Sequence, residues 1–396
     1  MNSTSPAAPS GPLVGIRVLD FSSFIAGSYA AQYLGDLGAE IVKIESLQGD
    51  AARSWGPFLA GESRFFQGWN RNKRSIAVDL QSTTGREVVH RLARNADIVI
   101  ENFRPGIAAK LKIDYDALKA LNPKLIYLSI TAFGTTGPYG KRPGYDPILQ
   151  ALSGAARGNL RYCKSVGVCS VAISDFGSAL IGASGLLAAL YHRERTGVGQ
   201  KVETTLLQAA MTLQSHMFVK ALDRTEEPPF GIFPYNFFET QDDIIFLAIG
   251  TDRFWQLLCE GIGAPELAAD PRYQTNPQRV AATEVLTAAL HAKLREKTTR
   301  EWETILLAKG VPCAPAQTYE EFFDDPQVTA MNMDPIVEHA SIGPVKLAGV
   351  PLHMSETPGA IQCAPPTLGQ HTDEVLREAG FGTAGIARLR SEGVVR

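Results

Sequence analysis

The chain has 396 residues, a formal net charge of −3 and 20% charged residues. This composition is typical of a globular protein of about two domains, and it gives no overall basic charge for binding nucleic acid. Five scattered cysteines without CxxC spacing argue against a disulfide framework and favour a reducing compartment, so we expect a cytoplasmic protein. Residues 1–12 begin polar and rich in Ala and Pro, which predicts a flexible N-terminus rather than a signal peptide.

The first half of the chain alternates apolar, strand-like runs with segments of helical periodicity. The predicted strands are residues 16–20, 40–45, 97–101 and 125–130, and the predicted helices are residues 28–37, 85–93 and 115–121. Repeated β-α-β units of this kind predict an α/β fold with a large, doubly wound, Rossmann-like parallel sheet. A ligand of such a sheet binds beyond the carboxyl ends of the strands, so the loops at those ends are candidate binding positions.

The loop after the first strand, residues 21–28, lacks the GxGxxG fingerprint, which disfavours NAD and FAD. It places Ala26 and Gly27 at a helix start, where free amides can meet a phosphate or thioester oxygen. A plain β-α turn is the alternative interpretation. Residues 102–104 directly follow another strand and are therefore at a binding position by geometry, with Lys110 about one helical turn further on.

Three cations, Arg71, Lys73 and Arg74, precede a short alternating strand. A basic cluster at the start of a strand is usually a solvated sheet edge. Residue types alone therefore favour a solvated edge here over an anion-binding site.

An apolar run over residues 180–190 is closed by basic residues and by Gly197, which predicts a helix with a left-handed C-cap. Asp175 precedes the first apolar turn, where the helix dipole favours a carboxylate. A simple N-cap is one interpretation of Asp175, because Asp is a preferred capping residue. The other is a free carboxylate that a bulky group can approach, since Gly177, Ser178 and Gly182 leave the helix start uncrowded. The run is too short and too rich in glycine for a membrane span, so no membrane contact is expected.

The pattern of the chain changes beyond residue 203. The predicted elements there are a helix over residues 206–219, strands over 236–240 and 244–249, and helices over 253–262, 280–294 and 299–309. We therefore divide the chain into a large domain of residues 13–227, a smaller α/β domain of residues 228–316, and a C-terminal segment of residues 317–396. No cluster of His, Asp and Glu has metal-ligand spacing, so no metal is expected.

Several segments resemble the motifs of the class III CoA-transferase family, which includes carnitine CoA-transferase, formyl-CoA:oxalate CoA-transferase and the α-methylacyl-CoA racemases. The matching segments are residues 69–80, 101–106, 144–154, 173–200 and 368–376, and the likeness runs in order from about Leu13 to Leu376. The resemblance implies that the C-terminal segment returns to the large domain, which binds CoA. For the basic cluster of residues 71–74, it implies a place beside the CoA nucleotide instead of a solvated edge. It also implies an interlocked homodimer.

The resemblance assigns roles to particular residues. It implies that Asp175 is a covalent nucleophile, with Tyr145 and Asp146 as candidate supporting residues. The positions that line CoA in the family are occupied here by Phe24, Ile25, Ala26, Val78, Asp79, Leu80, Asn102, Phe103, Arg104 and Lys110. It implies CoA thioesters and a carboxylic acid as substrates, and no tightly bound cofactor.

Tyr145 separates the branches of the family. The racemases resemble Gly-His-Asp where this chain has Gly144-Tyr145-Asp146. A tyrosine with an unperturbed pKa near ~10 is a poor base for an α-proton, so the transferase branch is favoured. From the residues alone, Asp146 and Pro147 also form a helix entry, with Asp146 as cap and Pro147 at the first helical position.

The resemblance therefore implies CoA transfer from an acyl-CoA donor to a carboxylic acid, through an aspartyl anhydride and an aspartyl-CoA thioester. Arg157, Arg161 and Lys164 lie upstream of Asp175 and suit the distal carboxylate of a succinyl-CoA-type donor, although solvated loop cations are an equal interpretation. An α-methylacyl-CoA racemase is one alternative function. A non-catalytic acyl-CoA-binding protein is the other, and it applies if Asp175 is only a cap.

Overall fold

The computed structural model describes residues 10–162, 165–220, 222 and 231–396. They form two compact units. The larger comprises residues up to Asn159, Ser165–Phe218 and Gln327–Arg396, and the smaller comprises the described residues within Leu160–Lys164 and Val219–Pro326.

The elements are given in chain order. The strands are β1 Arg17–Asp20, β2 Glu40–Glu45, β3 Phe58–Leu59, β4 Glu62–Ser63, β5 Lys73–Ala77, β6 Ile98–Glu101, β7 Ile126–Thr131, β8 Lys201–Thr205, β9 Tyr235–Glu239, β10 Ile244–Ala248, β11 Cys313–Pro315, β12 Ile336–His339 and β13 Gly343–Lys346. The α-helices are α1 Ala26–Asp36, α2 Arg64–Gly68, α3 Thr83–Ala93, α4 Ile107–Lys110, α5 Tyr115–Lys119, α6 Asp146–Leu152, α7 Ala155–Gly158, α8 Ile173–Thr196, α9 Leu206–Leu213, α10 Asp252–Gly261, α11 Pro265–Ala269, α12 Asn276–Ala281, α13 Thr283–Leu294, α14 Thr299–Ala308, α15 Tyr319–Phe323, α16 Pro326–Ala330, α17 Thr372–Glu378 and α18 Thr383–Ser391. Short 3₁₀ helices cover Ala51–Ser54, Asn159–Arg161 and Ser215–Phe218.

The larger unit is built on a six-stranded sheet in the order β5-β2-β1-β6-β7-β8, and every pair of neighbours is parallel. The predicted parallel α/β fold is therefore confirmed. The chain winds outward in both directions from β1 and β6, so the switch point of the topology lies between these two strands.

Alternation along each strand gives the sheet two apolar faces. Val18, Ile41 and Ile98 pack with α1 and α8, whereas their neighbours Leu19, Val42 and Val99 pack with α3, α5, α17 and α18. Because both faces are covered, the strands are apolar on both sides, which is why they appear in the sequence as continuous apolar runs.

Helix α8 is 24 residues long and is apolar enough by length and composition to cross a membrane. Half of its most apolar window is buried, and the helix contacts β7, β8, α1 and α9. The prediction that this run is too short to span a bilayer was therefore wrong, because the helix is longer than the predicted apolar run. Its hydrophobicity is accounted for by packing in the core.

The smaller unit has a three-stranded antiparallel sheet in the order β11-β10-β9. Its core is formed by one face of this sheet and by helices α10, α13 and α14, through residues such as Phe238, Ile245, Trp255, Leu286 and Trp302. The predicted helix over residues 280–294 is divided at Ala282 into α12 and α13, and the predicted helix over residues 206–219 is α9 followed by a 3₁₀ turn.

The C-terminal residues lie on the larger unit beside β5. The amide of His371 donates to the carbonyl of Ser75 at 2.9 Å, and Val395 forms a bridge with Val78. This segment covers what would otherwise be the open edge of the sheet, because β5 is the outermost strand.

The prediction of a solvated basic edge was wrong, because all three cations have partners within the protein. Arg71 pairs with Asp36 at 2.7 Å and is 4% exposed, and Lys73 is fully buried. Arg74 pairs with Glu40 and with Glu374 and Glu378 of α17. All three cations therefore stabilise the fold.

Candidate active site

Two neighbouring clefts open at the carboxyl ends of the central strands. The first, of about 260 Å³, contains Asp175 and is lined by the loops after β1, β6 and β7. The second, of about 690 Å³, is lined by the loops after β1, β2 and β5 and by α4. Ser23 and Phe103 line both clefts, so the clefts adjoin at the switch point where ligands of open α/β sheets bind.

Asp175 reaches the first cleft from the start of α8. The helix begins at Ile173, and its N-cap, Ala172, provides no side-chain cap. The missing cap comes from another helix, because the amide of Ser174 donates to Oδ1 of Asp146 at 2.7 Å. The interpretation of Asp175 as an N-cap was therefore wrong. Asp175 is the third residue of the helix, and Asp146 already accepts the hydrogen bond of the Ser174 amide.

The glycines of α8 serve a different purpose from the one predicted. A Cβ on Gly177 would lie 2.7 Å from Leu213, and one on Gly182 would lie 2.9 Å from Leu128. These positions are buried against α9 and the sheet. The small residues therefore allow close helix packing, and they do not open a path to Asp175.

The environment of Asp175 makes its ionised form costly. Burial and, to a lesser extent, the nearby charge of Asp146 together raise the pKa of this carboxyl from its usual range to about 7. Within the described parts of the chain, no group donates a hydrogen bond to the Asp175 carboxylate. A carboxylate that has lost water in this way is a better nucleophile once ionised.

The two candidate supporting residues, Tyr145 and Asp146, differ in how far they are engaged. Asp146 is 3% exposed and accepts from Ser174 and from Nε2 of Gln150 at 2.6 Å, so it positions α8. Tyr145 is half exposed and its ring lies edge-on to Phe24, with 6.1 Å between ring centroids. The predicted entry of α6 is wrong by one residue, because Tyr145 is at the N-cap and Asp146 at the first helical position.

The residues expected to line CoA fall into three groups. Phe24, Ile25, Ala26, Asn102, Phe103 and Arg104 line the first cleft together with Asp175 and Tyr145. Val78, Asp79 and Leu80 line the second cleft. Lys110 is exposed at the end of α4 and is not among the residues lining either cleft.

Val78 and Asp79 are partly engaged within the protein. The Val78 side chain is fully buried, and the amides of Val78 and Asp79 donate to the carbonyls of Glu45 and Val394. A ligand in the second cleft therefore meets Leu80 and the Asp79 carboxyl more readily than the Val78 side chain.

A buried charge network beneath the loop after β1 was missed from the sequence. Nζ of Lys73 lies 2.8 Å from Asp20, and Nζ of Lys43 lies 3.0 Å from Asp50. Burial lowers the pKa of Lys73 to about 8, although Asp20 favours its charged form. The signal in the sequence was a lysine inside the apolar run of β2, which indicates a buried partner for its charge.

Arg142 was also missed from the sequence. It lines the first cleft, and its guanidinium lies 4.8 Å from the ring centroid of Tyr139.

Across the described residues, no group of three or more His, Cys, Asp or Glu side chains is arranged to hold a metal ion.

Comparison with known proteins gives consistent matches. Residues 13–372 match the model of CoA-transferase family III. A succinate–glutarate CoA-transferase of Agrobacterium fabrum is 36% identical over 93% of this chain and 95% of its own. An acetyl-CoA:oxalate CoA-transferase of Acetobacter aceti is 34% identical over 91% of this chain and 95% of its own. A crystal structure of an M. tuberculosis protein superposes with a TM-score of 0.82 at 34% identity, covering 92% of this chain and 99% of that one.

Proposed function

The chain belongs to CoA-transferase family III, and we propose that it moves CoA from an acyl-CoA donor to a carboxylic acid through covalent intermediates on Asp175. The observation that carries this proposal is the free carboxylate of Asp175 in a cleft at the switch point of the sheet. Asp146 caps α8, so Asp175 has no capping role that would explain its position.

The proposed reaction balances without an external proton or oxidant. A carboxylate oxygen of Asp175 attacks the thioester carbonyl, the C–S bond breaks, and CoA leaves as a thiolate from a mixed anhydride. The thiolate then attacks the aspartyl carbonyl carbon, which releases the donor acid and forms an aspartyl-CoA thioester. The acceptor carboxylate passes through the same two steps in reverse and leaves as its CoA thioester.

Each tetrahedral intermediate carries an oxyanion that needs hydrogen-bond donors. The first amides of α1 have no partner within the helix, and Ile25, its N-cap, provides no side-chain cap. Ala26, at the first helical position, is 3% exposed and lines the cleft with Asp175. We assign the start of α1 as the oxyanion donor.

The two clefts suggest how CoA is divided between them. The first cleft holds the nucleophile and therefore takes the thioester end. The second is larger and adjoins the first at Ser23 and Phe103, so we assign it to the distal part of CoA. The resemblance of Val78 to Leu80 to CoA-lining positions supports the same assignment.

We propose a dicarboxylic acyl-CoA of the succinyl type as donor. The similar Agrobacterium and Acetobacter proteins are named for succinate and glutarate and for acetyl-CoA and oxalate, respectively. Arg104 and Arg142 line the first cleft and suit a second carboxylate. Of the upstream cations, Arg157 is exposed in α7, whereas the side chain of Arg161 and all of Lys164 lie outside the described residues.

The test is covalent trapping. The purified protein is incubated with succinyl-CoA or acetyl-CoA alone, and its intact mass and peptide masses are measured before and after borohydride reduction. We expect a CoA-sized adduct on the Asp175 peptide with succinyl-CoA, and none in Asp175→Asn. Asp116→Asn, which changes an exposed carboxyl in the first turn of α5, is the matched control and should retain the adduct.

The other outcomes identify the alternative functions. No adduct combined with α-deuterium uptake from heavy water would indicate racemase chemistry. Neither signal, with acyl-CoA still bound, would indicate a binding protein.

We also propose an interlocked homodimer in the cytoplasm. Large apolar side chains such as Met217, Val219 and Leu222 are 54%, 84% and 97% exposed in the single chain, and burial by a second copy would remove them from water. Light scattering should give twice the mass of one chain.

The proposed cytoplasmic location is tested by fractionation of cells, which should place the protein with the cytoplasmic fraction.

A further inference from the structure

The Ser23–Phe24 turn is held in an unusual conformation between the two clefts. Ser23 lines both clefts and Phe24 lines the one that contains Asp175. The φ of Phe24 is 60°, in the left-handed region that a bulky residue rarely adopts. Such a conformation persists only where neighbouring groups hold it, so the turn must be clamped.

Asn102 provides one clamp. The amide of Ser23 donates to its Oδ1 at 2.9 Å, and its Nδ2 donates to the carbonyl of Ser23 at 2.7 Å. Both ends of the Asn102 side chain therefore bind one residue of the turn. Asn102 ties the loop after β6 to the loop after β1, across the switch point.

Asp50 provides the second clamp. Its Oδ1 accepts from Oγ of Ser23 at 2.5 Å and from the amide of Phe24 at 3.2 Å. Its other oxygen lies 3.0 Å from Nζ of Lys43, which is fully buried. Burial alone would raise the pKa of Asp50, but Lys43 and Ser23 outweigh it and hold that pKa below its usual range.

Helix α1 begins only two residues after Phe24, at Ala26. Its first amides have fixed directions only while the turn before them is fixed. A change of Phe24 from the left-handed to an ordinary backbone conformation would therefore turn those amides relative to Asp175.

We propose that Asn102 and Asp50 are positioning residues for the acyl-transfer step. They hold Phe24 in its left-handed conformation and thereby keep the start of α1 beside Asp175. This inference rests on the proposed function. It differs from direct CoA binding by Asn102, because both ends of that side chain are used within the protein.

The test is a set of double-mutant cycles at Phe24. Phe24→Ala and Phe24→Gly both remove the ring, but only glycine adopts the left-handed conformation without cost. We combine each with Asn102→Ala and measure the rate of formation of the Asp175-linked CoA adduct and the KM for succinyl-CoA. Paired comparison of the two backgrounds isolates the backbone conformation from the loss of the ring.

We expect Asn102→Ala to slow adduct formation roughly 10-fold or more with Phe or Ala at position 24, as expected for release of a strained residue. With Gly at position 24 the same change should cost less than about 3-fold. Within each background, Asn102→Ala should change the KM for succinyl-CoA little. Asp50→Asn should likewise slow adduct formation less with Gly at position 24 than with Phe or Ala. If Asp50→Asn prevents folding because Lys43 loses its partner, the Asn102 variants alone provide the test.

Equal losses in all three backgrounds would overturn the inference, because the effect would then be independent of the Phe24 conformation. A loss confined to the KM would also overturn it and would favour direct binding of CoA. Absence of the adduct in the wild-type chain would instead refute the proposed function, so the two failures are distinguishable.

Discussion

The raised pKa of Asp175 leads to a prediction about stability that is separate from activity. The folded protein binds a proton at Asp175 with a pKa of about 7, whereas the unfolded chain has the ordinary value of 3.8. Because the native state holds the proton more tightly, stability falls as pH rises from about 4 to about 7. The penalty is then fully present above pH ~7.

Asp175→Asn removes this penalty and keeps the side-chain volume. Each pKa unit corresponds to about 1.4 kcal/mol, so the ionised carboxyl costs up to ~4 kcal/mol at about pH 8 and up to ~2 kcal/mol at about pH 5. The pH-independent cost of the new amide cancels when the two pH values are compared. The advantage of the variant should therefore grow by ~2 kcal/mol between them, or roughly 2–3 °C in Tm for a chain of this length.

The assay is thermal unfolding followed by circular dichroism between about pH 5 and about pH 8. Asp116→Asn is the control, because this carboxyl is also in the first turn of a helix, α5, but is exposed. Its Tm difference from the wild type should stay nearly constant with pH. If the Asp175→Asn difference were equally constant, or shrank as pH rose, the description of Asp175 as a dehydrated carboxylate would be wrong.

Three further changes test the structure around the site. Asp146→Asn keeps an oxygen for the Ser174 amide but removes a charge that raises the pKa of Asp175, so the pH profile of adduct formation should shift toward lower pH. The Tm should fall at every pH, because Nε2 of Gln150 loses its carboxylate acceptor. Gly182→Val should destabilise the protein by ~1–3 kcal/mol in denaturant unfolding, because its Cβ would lie 2.9 Å from a core side chain. The same substitution at Gly385, where the nearest atom is 4.0 Å away, should cost less than ~1 kcal/mol. Arg74→Met removes the cation shared by three carboxylates and should speed hydrogen exchange in α17, and unchanged exchange there would contradict its role in holding the C-terminal segment.

The sequence by itself determined most of the larger sheet, although its edge strand β8 was not predicted. Strands such as Glu40–Glu45 are buried on both faces, so their apolar runs and the intervening helices are local signals that need no knowledge of the fold. The loops at strand ends were identifiable for the same reason, since the direction of a parallel strand fixes the edge at which its loop lies. That is why the loops that carry Phe24 and Asn102 were expected at this edge of the sheet, whereas the role of Asp175 was expected from the family resemblance.

Only the tertiary structure decided what each charged group does there. Asp175 was ambiguous in the sequence because the preference of Asp for helix starts is local, whereas the actual cap, Asp146, comes from another helix. Lys73 was assigned to a solvated edge because its buried partner, Asp20, lies 53 residues away in the chain, on another strand of the sheet. Side-chain charge is a property of the residue, but burial and partners depend on contacts between distant segments, and they determine whether that charge stabilises the fold or reacts.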